Sequence, residues 1–197
     1  NFDAYVLYYR SMKLMYPPEN EILVGGIRLK SNIESFDYRV EGTVESQTIY
    51  GSPLASQYNY SLDNQLDAEF GIKFASLGNT RLAVEGFTAT NSYSQLFPTG
   101  HKWLGYADVV SRKNISGGVV HVQKPWTDKF STDLDLHYFM RTSPGSPAYG
   151  FTGGALGSAG GSSSSVIGSE ADFTGKWTLA SKFAVLAGAS YFMPGTY

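Results

Sequence analysis

The sequence predicts an all-β fold, specifically a transmembrane antiparallel up-and-down β-barrel, and three observations predict it. Apolar and charged residues alternate through segments long enough to cross a bilayer. Tight turns alternate with long loops along the chain. Aromatic residues make up 15% of the 197 residues, yet no apolar run approaches the ~18 that a membrane-spanning helix needs. A mean hydropathy of -0.18 fits a barrel, because residues facing its interior dilute those facing lipid.

The alternation is clearest in three segments. In Ser35–Gln47, Phe36, Tyr38, Val40 and Val44 share one parity while Asp37, Arg39, Glu41, Glu45 and Gln47 share the other. In Gln65–Ala75, Leu66, Ala68, Phe70, Ile72 and Phe74 oppose Gln65, Asp67, Glu69 and Lys73. In Lys129–Arg141, Phe130, Thr132, Leu134, Leu136, Tyr138 and Met140 oppose Ser131, Asp133, Asp135, His137 and Arg141. Successive side chains of a strand point to opposite faces, so each segment has one greasy and one charged face. Soluble sandwiches alternate too, with the apolar face as their buried core. Loop lengths separate the two cases.

Nine strands are expected, near 3–10, 21–30, 35–48, 63–77, 81–91, 115–124, 129–141, 168–178 and 182–192. Short connections at Ser31–Glu34, Gly78–Thr80, Pro125–Asp128 and Leu179–Ser181 alternate with long ones near 11–20, 49–62, 92–114 and 142–167. That segregation is the pattern of a barrel with periplasmic turns and outer loops. Single-chain bacterial barrels have even strand numbers and no lipid-exposed edge, so nine strands imply others elsewhere. Pro194-Gly195-Thr196-Tyr197 falls on the outer-loop side, and Asn1 follows neither an initiator Met nor a signal-like segment. Residues 1–197 are therefore expected to be part of one larger outer-membrane barrel domain. The Gly/Ser-rich stretch Ser143–Gly168 has no hydrophobic period and reads as a mobile outer loop, without the pattern of a phosphate-binding loop.

Fifteen basic against seventeen acidic residues, for a net charge of -2, argue against a nucleic-acid partner. The absence of cysteine excludes a disulfide framework, a thiolate metal site and a cysteine nucleophile. His101, His121 and His137 lie in separate elements and no Ser sits in a G-x-S-x-G context, so no catalytic residues and no enzyme are expected. Asp133, Asp135 and His137 share a face at i, i+2, i+4, but without ligands from a second strand they read as polar wall, with no metal and no cofactor. Rival readings are an outer-membrane hydrolase with His101 or Asp108 at its rim, and a soluble lectin-like domain.

The pore-lining candidates are Asp37, Arg39, Glu41, Glu45, Asp67, Glu69, Lys73, Arg81, Glu85, Asp133, Asp135, His137, Arg141, Glu170, Asp172 and Lys176. Mixed-sign charge around water sets the electrostatic profile met by permeating ions or charged polymers. Aromatics near strand ends, namely Tyr8, Tyr9, Trp126, Phe130, Trp177, Phe183, Tyr191 and Phe192, suit the girdles at the two membrane interfaces.

The segment Leu96-Phe97-Pro98-Thr99-Gly100-His101-Lys102-Trp103-Leu104-Gly105-Tyr106-Ala107-Asp108 resembles the LFPT-x-HK-aromatic signature of the alginate-export family of outer-membrane porins. Phe36-Asp37-Tyr38 through Glu41, Asp135-Leu136-His137-Tyr138-Phe139, Gly168-Ser169-Glu170-Ala171-Asp172 and Gly188-Ala189-Ser190-Tyr191-Phe192-Met193-Pro194-Gly195 resemble the same family in the same order. The resemblance implies the C-terminal half of a monomeric barrel of about 18 strands. It also implies passage of an anionic exopolysaccharide through an arginine-rich constriction, although acidic residues outnumber basic ones here. His101, Lys102 and Asp108 are the polar groups of the motif loop, set among aromatics that suit packing against the wall.

The expected function is a porin-like channel in the outer membrane of a Gram-negative-type bacterium, passing polar or charged solutes, with an anionic polysaccharide as the candidate that the resemblance implies. Its partners would be outer-membrane lipid, the solute and envelope proteins. The alternative is a surface-binding or scaffold barrel within a larger envelope complex, its lumen plugged and its long loops engaging a partner.

Overall fold

A computed structural model describes residues 1–11, 20–50, 58–96, 103–157 and 163–197. The chain runs β1 (Phe2–Ser11), β2 (Asn20–Ile33), β3 (Phe36–Tyr50), β4 (Tyr58–Phe74), a 3-10 turn at Ala75–Leu77, β5 (Thr80–Ala89), β6 (Ile115–Thr127), β7 (Phe130–Met140), β8 (Ala148–Tyr149), β9 (Ala155–Leu156), β10 (Val166–Ala180) and β11 (Phe183–Pro194). Nine of these form one sheet in the order β1-β2-β3-β4-β5-β6-β7-β10-β11, and β8-β9 form a separate hairpin. Every pairing in the large sheet is antiparallel, as the expected meander requires. Its two edges are β1 and β11.

Seven of the nine strands of the large sheet run longer than the sequence suggests, up to 17 residues in β4, while β5 and β7 are slightly shorter. A tilted crossing needs only ~9–11, so the extra length stands beyond the hydrocarbon. Three of the four short turns are correspondingly tighter, whereas the β4–β5 connection, with its 3-10 turn, spans residues 75–79. Glu34 (φ 54°) closes the β2–β3 hairpin, and Gly78 (φ 66°) with Asn79 (φ 61°) precedes β5, left-handed conformations that match the twist of paired strands. The turn after β6 falls later than expected because Pro125 stays in the strand at a register shift. A bulge tolerates the missing N–H there.

The sheet is inverted relative to a soluble protein. On one face Leu66 is 50% exposed, Phe70 46% and Val84 56%, while on the other Asp67 is 2% and Glu170 1% exposed. Phe36, Ile72, Leu82, Leu136 and Phe173 join the exposed apolar face. In water so large a contiguous apolar surface is an aggregation hazard, and against acyl chains it is the stable arrangement. No helix among the described residues is long and apolar enough to cross a membrane.

At the short-turn end, Trp126, Trp177 and Phe183 are exposed, the Phe130 and Trp177 rings lie 6.0 Å apart, and the Trp126 indole N–H donates to Thr132 Oγ1 at 2.9 Å. Tyr8, Tyr60 and Tyr191 are exposed towards the long-loop end. Phe192 departs from the expected girdle: paired with Glu170, it faces inward and stacks on Phe139 at 6.3 Å.

The apolar core sits on the inner face, where Phe87, Ile115, Val119, Phe139 and Ile167 of the strands meet Tyr93, Leu104 and Val110 of the β5–β6 connection. The Gly/Ser-rich stretch also differs from expectation in its described part. The Arg141 guanidinium donates to the carbonyls of Pro144, Ser146 and Ser164, and the Asn114 amide to those of Ser143, Ser146 and Pro147. Buried donors satisfy this backbone, which is why no hydrophobic period announces its order. Residues 158–162 of that stretch lie outside the described residues.

Replacing Leu136 with Arg is expected to destabilise the protein in bilayers by ~2–4 kcal/mol, as a charge on the lipid face does near the midplane. Asp133→Asn, on the inner face, should change stability by less than ~0.5 kcal/mol. Denaturant titration in vesicles measures both, and equal losses would contradict the facing.

Candidate functional site

The period-2 pattern places charges from adjacent strands in register on the inner face. Glu41 lies opposite Arg28 of β2 and Asp67 of β4, and Arg39 opposite Lys30 and Glu69. Two arginines tie these rows together. Arg39 ion-pairs with Asp67 at 3.0 Å, Glu69 at 3.2 Å and Glu85 at 3.0 Å. Arg81 ion-pairs with Asp37 and, at 2.6 Å, with Glu69, and donates to Gln123 Oε1 at 3.3 Å. The guanidinium geometry suits such forked contacts, and partial burial strengthens them. Removing one partner of a buried pair typically costs ~3–5 kcal/mol, because the other charge is left uncompensated.

Several members were not visible as site residues in the sequence. Arg112, in the β5–β6 connection, donates to Gln65 Oε1 and Asp67 Oδ2, both at 2.9 Å. Tyr5 donates to Glu41 at 2.5 Å, and Arg28 pairs with Asp3 at 2.8 Å. His121 Nδ1 lies 2.7 Å from Asp135 and its Nε2 lies 3.5 Å from Glu85. The sequence around His121 reads Val119-Val120-His121-Val122, an apolar run that conceals strand parity. Arg112 carries no strand period at all, so only the fold could bring it to β4.

A loop spans this face. The Arg39 guanidinium lies over the Trp103 ring at 4.1 Å. Three residues further along the chain, the Tyr106 N–H donates to Asp172 Oδ2 at 3.1 Å, and the Ala107 N–H to Glu170 Oε1 at 2.7 Å. The segment therefore reaches from β3 to β10. Gly105 makes the crossing possible: its φ is 88°, and a Cβ there would lie 2.3 Å from Glu170 Oε1. Ser190 adds a hydrogen bond to Glu170 at 2.9 Å, and His137 Nε2 lies 3.2 Å from Asp172. Behind the loop, Thr43 donates to the Tyr93 hydroxyl at 3.1 Å, and burial pushes the Tyr93 phenol above its ordinary pKa.

Open space remains on both sides of Arg39. One cavity of about 230 Å³ is lined by Tyr5, Arg28, Glu41, Tyr93 and Trp103 as well as Arg39. Another of about 640 Å³, on the short-turn side, is lined by Lys30, Asp37, Glu69, Arg81 and Arg39.

Every described pore-lining candidate lies on this inner parity. Asp37, Arg39, Asp67, Glu69, Arg81 and Glu85 form one network, which Glu41 borders. Asp135 is drawn to His121 and His137 to Asp172, so Asp133, Asp135 and His137 do not converge. Lys73 and Lys176 are exposed towards the short-turn end. Glu45 and Arg141 are sealed beneath loops at the other end, Glu45 accepting from the Ser94 N–H and Arg141 holding loop carbonyls. In the motif loop, Asp108 has a left-handed backbone at φ 52°, while His101 and Lys102 lie outside the described residues. No group of three or more His, Cys, Asp or Glu side chains among the described residues is placed to hold a metal ion.

Substituting Gly105 with Ala should detach the Trp103–Asp108 segment from the wall, since both backbone and Glu170 oppose a Cβ. A left-handed non-glycine residue alone costs ~1–2 kcal/mol, or roughly 10-fold in the population of the open loop. Limited proteolysis of the loop should accelerate accordingly. Gly25→Ala, where a Cβ meets nothing within 4 Å, should leave cleavage unchanged.

A family model described as alginate export matches residues 3–197. No curated protein matches the chain.

Proposed function

The chain belongs to the alginate export family, a family of outer-membrane export channels, and from that premise we propose that it forms one wall of a water-filled lumen in a larger barrel of the outer membrane. The remaining strands would pair with β1 and β11, because an open sheet edge in hydrocarbon leaves backbone groups unsatisfied. Polar or charged solutes, an anionic polysaccharide among them, would pass along the inner face, and the chain would catalyse no reaction. The carrying observation is the inversion of the sheet, with hydrocarbon side chains exposed outward and the charged network turned inward around open space.

The arrangement of charge bears on what such a lumen favours. Arg39 and Arg81 are shared among Asp37, Asp67, Glu69 and Glu85, so no guanidinium among them stands as an isolated anion trap. A passing polyanion would meet donors already engaged with carboxylates, at several weak sites rather than one strong one. Conduction needs that weakness, since a solute held tightly does not leave. Trp103 and Tyr5 beside the arginines add flat apolar faces of the kind on which sugar rings rest.

Planar-bilayer recording of the intact protein tests the reading. Discrete conductance is expected, with Arg39→Gln shifting reversal potentials towards cation preference and Asp37→Asn shifting them towards anions. Silence in bilayers combined with specific capture of an envelope partner would sink the channel and favour the plugged, partner-binding barrel, a reading to which the apolar packing of Tyr93, Leu104 and Val110 on the inner face lends support.

A further inference from the structure

We propose that Glu45 and Asp63 form a calcium-type divalent-cation site at the long-loop end of the inner face, with Asn91 as a third oxygen ligand. The two carboxylates lie directly opposite each other in the β3–β4 register. Cross-strand partners on one face have Cβ atoms ~4.5–5.5 Å apart, and like charges there repel. Both are buried, Glu45 at 0% and Asp63 at 5% exposure.

The segment after β5 satisfies only half of each carboxylate. Asp63 Oδ1 accepts from Thr90 Oγ1 at 2.7 Å and from the Ser92 N–H at 3.3 Å, and Glu45 Oε1 accepts from the Ser94 N–H at 2.9 Å. Glu45 Oε2 and Asp63 Oδ2 are buried without a hydrogen-bond partner, and so is Asn91 Oδ1, between the two residues that hold Asp63. Neither carboxylate has an ion pair among the described residues. Four residues along each strand the situation is opposite: Glu41 accepts from Tyr5, and Asp67 is held by Arg39 and Arg112.

The surroundings offer little compensation. Thr43, Gln47, Ser61 and Gln65 flank the pair on the same face and are neutral, as is the Tyr93 phenol above them. Lys113 is the cation that acts on Glu45 from the β5–β6 connection, but its ammonium lies over the Tyr149 ring at 4.5 Å. Uncompensated buried charge is costly, and a bound cation removes the cost. Two carboxylates and an amide oxygen are hard ligands without nitrogen or sulfur, which disfavours zinc and copper. An irregular loop closing over two strands suits the flexible coordination of calcium better than the strict octahedron of magnesium.

Terbium luminescence on the intact protein in detergent micelles tests the site, because Tyr93 sits between the two N–H donors that bind the carboxylates and can sensitise a bound lanthanide. Saturable emission displaced by calcium is expected, together with a calcium-dependent rise in the thermal midpoint. Glu45→Gln and Asp63→Asn keep the hydrogen-bond acceptors and should each weaken calcium binding at least 10-fold, with Glu41→Gln unchanged. Three results would overturn the proposal: no response to calcium in the wild type, equal losses in Glu41→Gln, or a Glu45→Gln protein that binds calcium as the wild type does. A wild type that takes up a proton and ignores calcium would likewise overturn it, assigning the compensation to a shared proton.

Discussion

Arg39 and Arg81 are the constraint on which the inner face depends. Between them they neutralise Asp37, Asp67, Glu69 and Glu85, four carboxylates supplied by three different strands. A sheet whose outer side is solvated by acyl chains has no second protein layer to fix its strands, so the polar side must do it. Ion pairs running across β3, β4 and β5 serve as side-chain ties between strands whose backbones are already paired. The same charges give the face its chemistry. Structure and electrostatic character therefore share one set of residues, and a substitution at Arg39 acts on both.

The β5–β6 connection extends that logic. Arg112 brings a third guanidinium to Asp67, Trp103 stacks on Arg39, and two backbone N–H groups reach Glu170 and Asp172 on the opposite part of the sheet. Its described parts are fastened by buried carboxylates on both sides of the inner face. Gly105 is where the chain passes closest to Glu170, and its lack of a side chain is a requirement of that passage.

Much of this was legible in the sequence, for a physical reason. Where a strand faces charge on one side and lipid on the other, as around Asp37–Glu45 or Asp67–Lys73, period-2 alternation is forced and residue facing follows directly. The family signature likewise pointed to a loop against the wall. Legibility failed where the inner face turns apolar: His121 lies in a valine run, and Phe192 faces the inner core although its position near a strand end suggested a girdle. It failed again where side chains hold backbone, because Arg141 and Asn114 order a Gly/Ser-rich stretch through carbonyls that no composition reveals. Arg112 and Gln65 meet across a long separation in the chain, and spacing carries no trace of that meeting.

The central claim is that one parity of each strand touches lipid and the other borders water. The chain has no cysteine, so single cysteines can be placed along β4 and neighbouring strands without background. Labelling at positions 62, 66 and 70 against 37, 69 and 133 in native membranes, with a water-soluble maleimide and with brominated-lipid quenching of an attached fluorophore, tests it most directly. The account predicts lipid quenching and slow aqueous reaction at the first set, and the reverse at the second. Aqueous reaction at Leu62, Leu66 and Phe70 as fast as at Glu69 would contradict it.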